Sequence, residues 1–244
     1  IAELPNLKSL TAQYLGLTDV TFFGNLLTLG QLNLDFNDIT DITPVCKLTK
    51  LGQLTLTDNL VSDISCLSDI ENLHYFKAAA NKIKDVSALS KFRDLSTVDL
   101  GYNEIEDISA LGQIPRIYEL FLDHNQITSI VGIPEFVQYL YIHDNLISDL
   151  SPLIGHPWLD YTTEFDFAYN QIEDLSPIAL FPMVMGLDIH GNRVTDLTPL
   201  ASHPELRFLN IAENNVQDIS PLAALKFEII SAWDNMIHDI SPLM

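Results

Sequence analysis

The sequence predicts an α/β solenoid with a curved parallel sheet on its concave face and short 3₁₀ or one-turn helices on its convex face. Three observations carry that expectation. An asparagine returns at a near-fixed period, two alternating apolar residues precede it, and an aspartate, an apolar residue, a hydroxyl and often a proline follow it. Self-similarity at a period of roughly 20–50 residues is the mark of stacked repeats.

The asparagine column runs through Asn37, Asn59, Asn81, Asn103 and Asn125 at intervals of 22 residues, then through Asn145, Asn170, Asn192, Asn214 and Asn235. An N-terminal unit keeps the frame with Leu10, Ala12, Leu17, Asp19 and Val20 but carries Leu15 in the asparagine position. Pairs such as Leu54/Leu56, Val98/Leu100 and Leu209/Ile211 alternate before the asparagine, which predicts a short strand with one face buried. Two residues beyond each asparagine stands Ile or Val, directed to the same core. Then comes aspartate, replaced once by Ser129, and after it pairs such as Ser151-Pro152 and Ser176-Pro177. A hydroxyl before proline reads as the N-cap and first position of a helical turn, and the few residues left before the next strand make that turn short.

The motif LxLxxNxIxDI(S/T)PL resembles the 22-residue leucine-rich repeats of SDS22-like proteins and bacterial internalins, and its Asp-Ile-Ser-Pro-Leu ending is closer to the internalin branch. The resemblance covers essentially the whole chain. Residues 1–244 are expected to form a single leucine-rich-repeat domain of about eleven repeats. Neither end shows a clear polar cap, so the chain is expected to be a segment of a longer protein.

Both polar columns have structural explanations. A buried amide must be hydrogen-bonded or it costs about 1–3 kcal/mol, so the asparagines are expected to bond the backbone of their own and neighbouring coils. The aspartates are expected to accept backbone hydrogen bonds where each helical turn begins, rather than to hold calcium. Cys46 and Cys66 lie nine and seven residues after their asparagines, out of register, and are expected to be free, partly buried thiols.

Twelve basic and 33 acidic residues give a net charge of −21, and nine of the twelve basic residues precede Leu122. Duplex nucleic acid and anionic membrane surfaces reward clustered Lys and Arg, so neither is an expected partner. No apolar run has the length of a membrane span, and no membrane insertion is expected. A protein with a neutral or basic surface fits the charge better.

Two spacings break the pattern. The interval falls to 20 residues before Asn145, where Val131-Gly-Ile-Pro-Glu-Phe136 replaces the usual turn, and rises to 25 before Asn170. The longer unit carries Trp158 and Tyr161. Neutral length changes in loops account for both, with a local change of surface shape as the alternative.

Between the core positions of each strand lie residues expected to face outward on the concave sheet. In the middle repeats these are Tyr102, Phe121, Tyr139, Tyr141 and Tyr169 among Asp99, Glu119, Asp123, Asp144, Glu164, Asp166 and Asp188, with His143 beside them. Clustered aromatics anchor protein interfaces, and surrounding acids steer a basic partner. His124 and Asp144, with Asp123 and His143, lie diagonally across neighbouring strands within reach of a shared metal. Solvated histidine beside aspartate is the preferred reading, so no metal and no cofactor is expected. No nucleophile or closed pocket accompanies them, and the chain is not expected to be an enzyme.

The function this predicts is protein binding through the concave face. Resemblance to internalins implies a bacterial surface or secreted protein, extracellular and adhesive; resemblance to SDS22-like proteins implies instead a cytoplasmic scaffold for an enzyme. A structural spacer and carbohydrate recognition through Tyr139, Tyr141 and Tyr169 are the further alternatives.

Overall fold

The computed structural model describes residues 6–156 and 163–244. Trp158 and Tyr161 lie outside the described residues. Each apolar doublet forms a short strand, and all are parallel in one 11-stranded sheet ordered as in the sequence. The strands are β1 (Ser9–Thr11), β2 (Gln31–Asn33), β3 (Gln53–Thr55), β4 (Tyr75–Lys77), β5 (Thr97–Asp99) and β6 (Ile117–Phe121), then β7 (Val137–Tyr141), β8 (Glu164–Asp166), β9 (Gly186–Asp188), β10 (Phe208–Asn210) and β11 (Ile229–Ser231). Register follows the repeat: Leu54 pairs with Phe76, Val98 with Leu120 and Leu140 with Phe165. A 3₁₀ turn crosses the opposite, convex side in most coils.

One core runs the length of the solenoid. The strand leucines, the Ile or Val after each asparagine and the apolar residue after each aspartate are buried in it, as with Val98, Leu100, Ile105, Ile108 and Leu111. In the coil that carries β11, Ile230 and Ile237 are only partly covered.

The asparagine ladder holds adjacent coils together as expected. Asn103 Nδ2 donates to Leu100 O at 3.0 Å and Gly101 O at 3.1 Å in its own strand exit, and to Ala78 O at 3.0 Å in the coil before. Its Oδ1 accepts from the Ile83 N–H at 2.9 Å. Asn37 serves the N-terminal coil, where its Oδ1 accepts from the N–H groups of Leu15 and Leu17. Leu15 therefore needs no amide of its own.

The aspartate column also acts on the backbone. Asp107 Oδ1 accepts from the Ser109 N–H at 2.7 Å and Oδ2 from the Ser109 hydroxyl at 3.0 Å. Asp41, Asp63, Asp149, Asp174, Asp196, Asp218 and Asp239 repeat the backbone contact. Here the structure corrects the reading of the hydroxyl. Ser151, Ser176, Thr198, Ser220 and Ser241 are the first residues of their turns, with proline second, and none caps the turn with its side chain. The carboxylate two residues earlier already reaches the exposed N–H, and it holds several of the hydroxyls as well.

These bonds set a pH dependence. The Ser109 N–H and hydroxyl hold the Asp107 carboxyl below its ordinary value of 3.8. A lowered folded-state pKa contributes stability above the unfolded value and loses it as pH falls through the folded value. Asp107→Ala is expected to lower Tm at neutral pH by the few degrees that follow from losing a cap worth about 1 kcal/mol. The gap from wild type should narrow as pH drops below about 4, which thermal melts across an acid series would measure.

The cysteine expectation is overturned. Cys46 and Cys66 form a disulfide with Cα atoms 5.8 Å apart. Counting from the asparagines hides the match, because the turn Val45–Lys47 starts two positions later in its coil than Ser65–Asp69 does in the next. Each cysteine is the second residue of its turn, so adjacent turns bring them face to face.

The short repeat is a change in the turn rather than in the sheet. Among the described residues, the coil between β6 and β7 has no 3₁₀ turn, and Val131–Phe136 closes it directly. Ser129 takes the role of the absent aspartate, accepting from the Val131 N–H at 3.2 Å. Gly132, at φ +103°, lies against the preceding coil. A Cβ there would come within 2.4 Å of Ser109 Cα and 2.5 Å of Ile108 O.

Candidate functional site

Parallel register at one strand per coil turns each outward position into a row across the sheet. Asp99 lies beside Phe121, Phe121 beside Tyr141 and Tyr141 beside Asp166, which is beside Asp188. Glu119 pairs with Tyr139 in the parallel row. The row spacing of about 4.8 Å brings rings into stacking distance. Phe121 and Tyr141 are stacked at 4.8 Å between centroids and 3° between planes. Tyr139 meets Tyr118 edge-on at 5.9 Å.

A second row lies where the chain leaves each strand. The residue before each asparagine has φ between 48° and 57° at Phe36, Asp58, Ala80, Tyr102, His124, Asp144, Tyr169, Glu213 and Asp234. The left-handed region costs a non-glycine residue about 1–2 kcal/mol, and only Gly191 in this column is a glycine. Backbone bonds to the next coil hold it, as when the Tyr102 N–H donates to Asp123 O at 2.9 Å. Tyr102 is exposed and stacks on His124 at 3.9 Å. Tyr169 is exposed, meets the His190 ring at 4.3 Å and donates from its hydroxyl to Glu213 Oε1 at 3.4 Å.

Charge is arranged around the aromatic pair. Lys77 Nζ lies 3.7 Å from Asp99 Oδ2 and 5.6 Å from the centroid of the Phe121 ring. Burial raises the Asp99 carboxyl above its ordinary value, with Lys77 opposing. Glu119 Oε2 accepts from the Thr97 hydroxyl at 3.2 Å. His143 Nδ1 is 2.9 Å from Asp166 Oδ2, and its Nε2 is 3.9 Å from Asp123 Oδ2. Contact with Asp166 raises the His143 pKa against the opposing effect of burial. His124 Nε2 is 3.5 Å from Asp144 Oδ2. Burial, with Glu164 next, raises the Tyr141 phenol, which stays neutral at physiological pH. Asp188 Oδ1 lies 2.6 Å from His190 Nδ1, and its Oδ2 accepts from Asn210 Nδ2 at 3.1 Å.

The twelve residues singled out from the sequence do not form one equal cluster. Asp99 and Phe121 meet through Lys77, Phe121 stacks on Tyr141, and Asp123 and Asp166 meet through His143. Tyr102 and Asp144 meet through His124. Asp188 and Tyr169 sit farther along with His190, while Glu119 and Tyr139 line the edge near Tyr118. Sequence reasoning missed Lys77, His190 and the hollow at Gly186. Gly186, with Glu164 and Phe208 beside it in register, lies in a broad depression of about 540 Å³ lined also by Tyr139, Tyr141, Asp166 and Asp188.

No family model matches the chain, and no curated protein matches it. Solved structures do. An internalin (InlF) from Listeria monocytogenes superposes with a TM-score of 0.74 at 23% identity, over 99% of this chain and 85% of that one. Internalin C2 from the same organism gives 0.53 at 26% identity, over 80% and 76%. The plant peptide hormone receptor RGFR1, in complex with RGF2, gives 0.76 at 16% identity, over 96% of this chain and 45% of the receptor. Among the described residues no helix is long and apolar enough to cross a membrane.

Proposed function

We propose that this leucine-rich-repeat solenoid is a protein-recognition module that receives a neutral or basic partner on the concave face from β5 to β9. The observation that carries the reading is the stacked Phe121–Tyr141 pair set within carboxylates. The pair offers a flat apolar anchor already held in place, so little side-chain entropy is lost on binding. Asp99, Asp123, Asp144, Asp166 and Asp188, with Glu119 and Tyr139 at the edge and Tyr102, His143 and Tyr169 flanking, supply a field that draws in basic groups. The hollow at Gly186 gives an inserted side chain somewhere to go. The reading is a binding module and not an enzyme.

A bacterial surface or secreted setting, with a role in adhesion, is the compartment proposed. Likeness to internalins supports it, and so does the disulfide, since such bonds persist in oxidising compartments and are rare in the cytosol. The disulfide weighs against the cytoplasmic scaffold.

The test is affinity capture with the purified solenoid at low and moderate salt, comparing wild type with a Phe121→Ala/Tyr141→Ala variant of unchanged melting behaviour. A partner held by wild type, weakened by salt and lost by the variant is the expected result. A partner retained equally by both would move recognition to the outer turns and remove the reading.

A further inference from the structure

We propose that Asp123, His124 and His143 form a binding site for a zinc ion on the concave face. One donor atom from each lies within 4.8 Å of the other two. Sheet register explains the meeting: Phe121 pairs with Tyr141, so two residues on, Asp123 stands beside His143 and His124 beside Asp144. Zinc at about 2.0–2.1 Å from each donor in tetrahedral geometry needs donors roughly 3.3 Å apart. Small rotations of three half-buried side chains supply the difference.

The groups around the three residues orient them for this role. His143 Nε2 faces Asp123 Oδ2 at 3.9 Å, while Nδ1 on the other side of the ring is 2.9 Å from Asp166 Oδ2. Asp166 lies behind the ring as a close charged contact, without an aligned hydrogen bond from Nδ1, and leaves the far nitrogen turned toward Asp123. Stacking on Tyr102 at 3.9 Å and an edge contact to His143 at 5.2 Å hold the His124 ring. The Asp123 carboxylate sits over Gly101, where a side chain would collide with its oxygens at 2.8 Å. Asp144 Oδ2, 3.5 Å from His124 Nε2, adds negative charge next to the site.

Two imidazoles and one carboxylate select zinc over calcium or magnesium, which take oxygen ligands. Three protein ligands leave a fourth position for water. This assignment departs from the preferred sequence reading of solvated histidine beside aspartate. What favours the metal is the convergence of three donor atoms within 4.8 Å, which the sequence alone does not show. The site shares Asp123 and His143 with the proposed partner surface, and zinc binding is measured without any partner present.

Titration calorimetry with zinc chloride at neutral pH should show one ion per chain with a dissociation constant in the micromolar range or below, unaffected by millimolar calcium or magnesium. Cobalt(II) should give the visible absorption of a tetrahedral site. His124→Ala and His143→Ala should each lower affinity at least 100-fold, and Asp166→Asn should lower it roughly 10- to 100-fold. His74→Ala should leave it unchanged. Circular dichroism and melting of the same samples separate lost ligands from lost fold. Absence of saturable binding, displacement by calcium, or unchanged binding in a folded His124→Ala/His143→Ala variant would overturn the assignment.

Discussion

Asn103→Ala is expected to destabilise the solenoid more than almost any other single polar substitution. It removes three donated bonds, to Ala78, Leu100 and Gly101, and strands the Ile83 N–H that its Oδ1 accepts. All four partners are backbone groups of a side chain that is 8% exposed. The three carbonyls keep other donors, the Asn81 and Asn125 amides and the Ala80 N–H, so the Ile83 N–H is the group left unpaired, at about 1–3 kcal/mol, with the three lost bonds added to it. Even with partial rescue by entering water, a loss on the order of 3 kcal/mol follows, or roughly 6–12 °C in Tm for a chain of this size. Because Asn103 joins its own coil to the one before it, the damage spreads to neighbours. Asn235 provides the comparison, since it makes the same bonds at the exposed last coil. Asn235→Ala should shift Tm by less than half as much. Calorimetric melts of both variants decide this, and equal shifts would mean the ladder does not couple coils.

Gly132→Ala is expected to cost a similar amount for a different reason. A methyl group there would meet Ser109 Cα at 2.4 Å and Ile108 O at 2.5 Å, both backbone of the adjacent coil. Neither can swing aside, and the residue's φ of +103° is outside the range that side-chain-bearing residues tolerate. Overpacking alone costs typically about 1–3 kcal/mol, and backbone strain adds to it. Gly155 separates the two effects, because it too has positive φ but has open space where its Cβ would be. Gly155→Ala should produce only the conformational part. Chemical denaturation midpoints should rank wild type, Gly155→Ala and Gly132→Ala in that order, and equal midpoints for the two variants would refute the contact.

The coil order, strand positions, buried columns and asparagine ladder were all legible in the sequence, because each is repeated. Ten asparagines in one phase report the same bond ten times. What was not legible arose from single events. Cys46 and Cys66 meet only because one turn starts late. Gly132 matters only because its coil is two residues short. The left-handed column was hidden for a third reason: Phe36, Tyr102 and Tyr169 carry no glycine or asparagine signal, and the next coil's carbonyls impose the conformation.

The concave face was partly legible. Alternation placed Phe121, Tyr141 and their carboxylates in rows, and register confirmed that Phe121 and Tyr141 are neighbours. Pairing within the rows was not readable, since side chains such as Lys77 and His143 choose among several carboxylates at similar distance. Asp188 was singled out for a partner, yet it is already engaged by His190 and Asn210. Asp99, Asp144 and Asp166 are engaged likewise, by Lys77, His124 and His143.

Hydroxyl-radical footprinting of the solenoid, alone and with its captured partner, tests the central proposal most directly, because it reads side-chain exposure residue by residue. Tyr102, Tyr141 and Tyr169 should lose reactivity in the complex, while Phe22 and Leu180 on the outer turns keep theirs. Protection of Phe22 and Leu180 with unchanged reactivity at the three tyrosines would contradict recognition on the concave face.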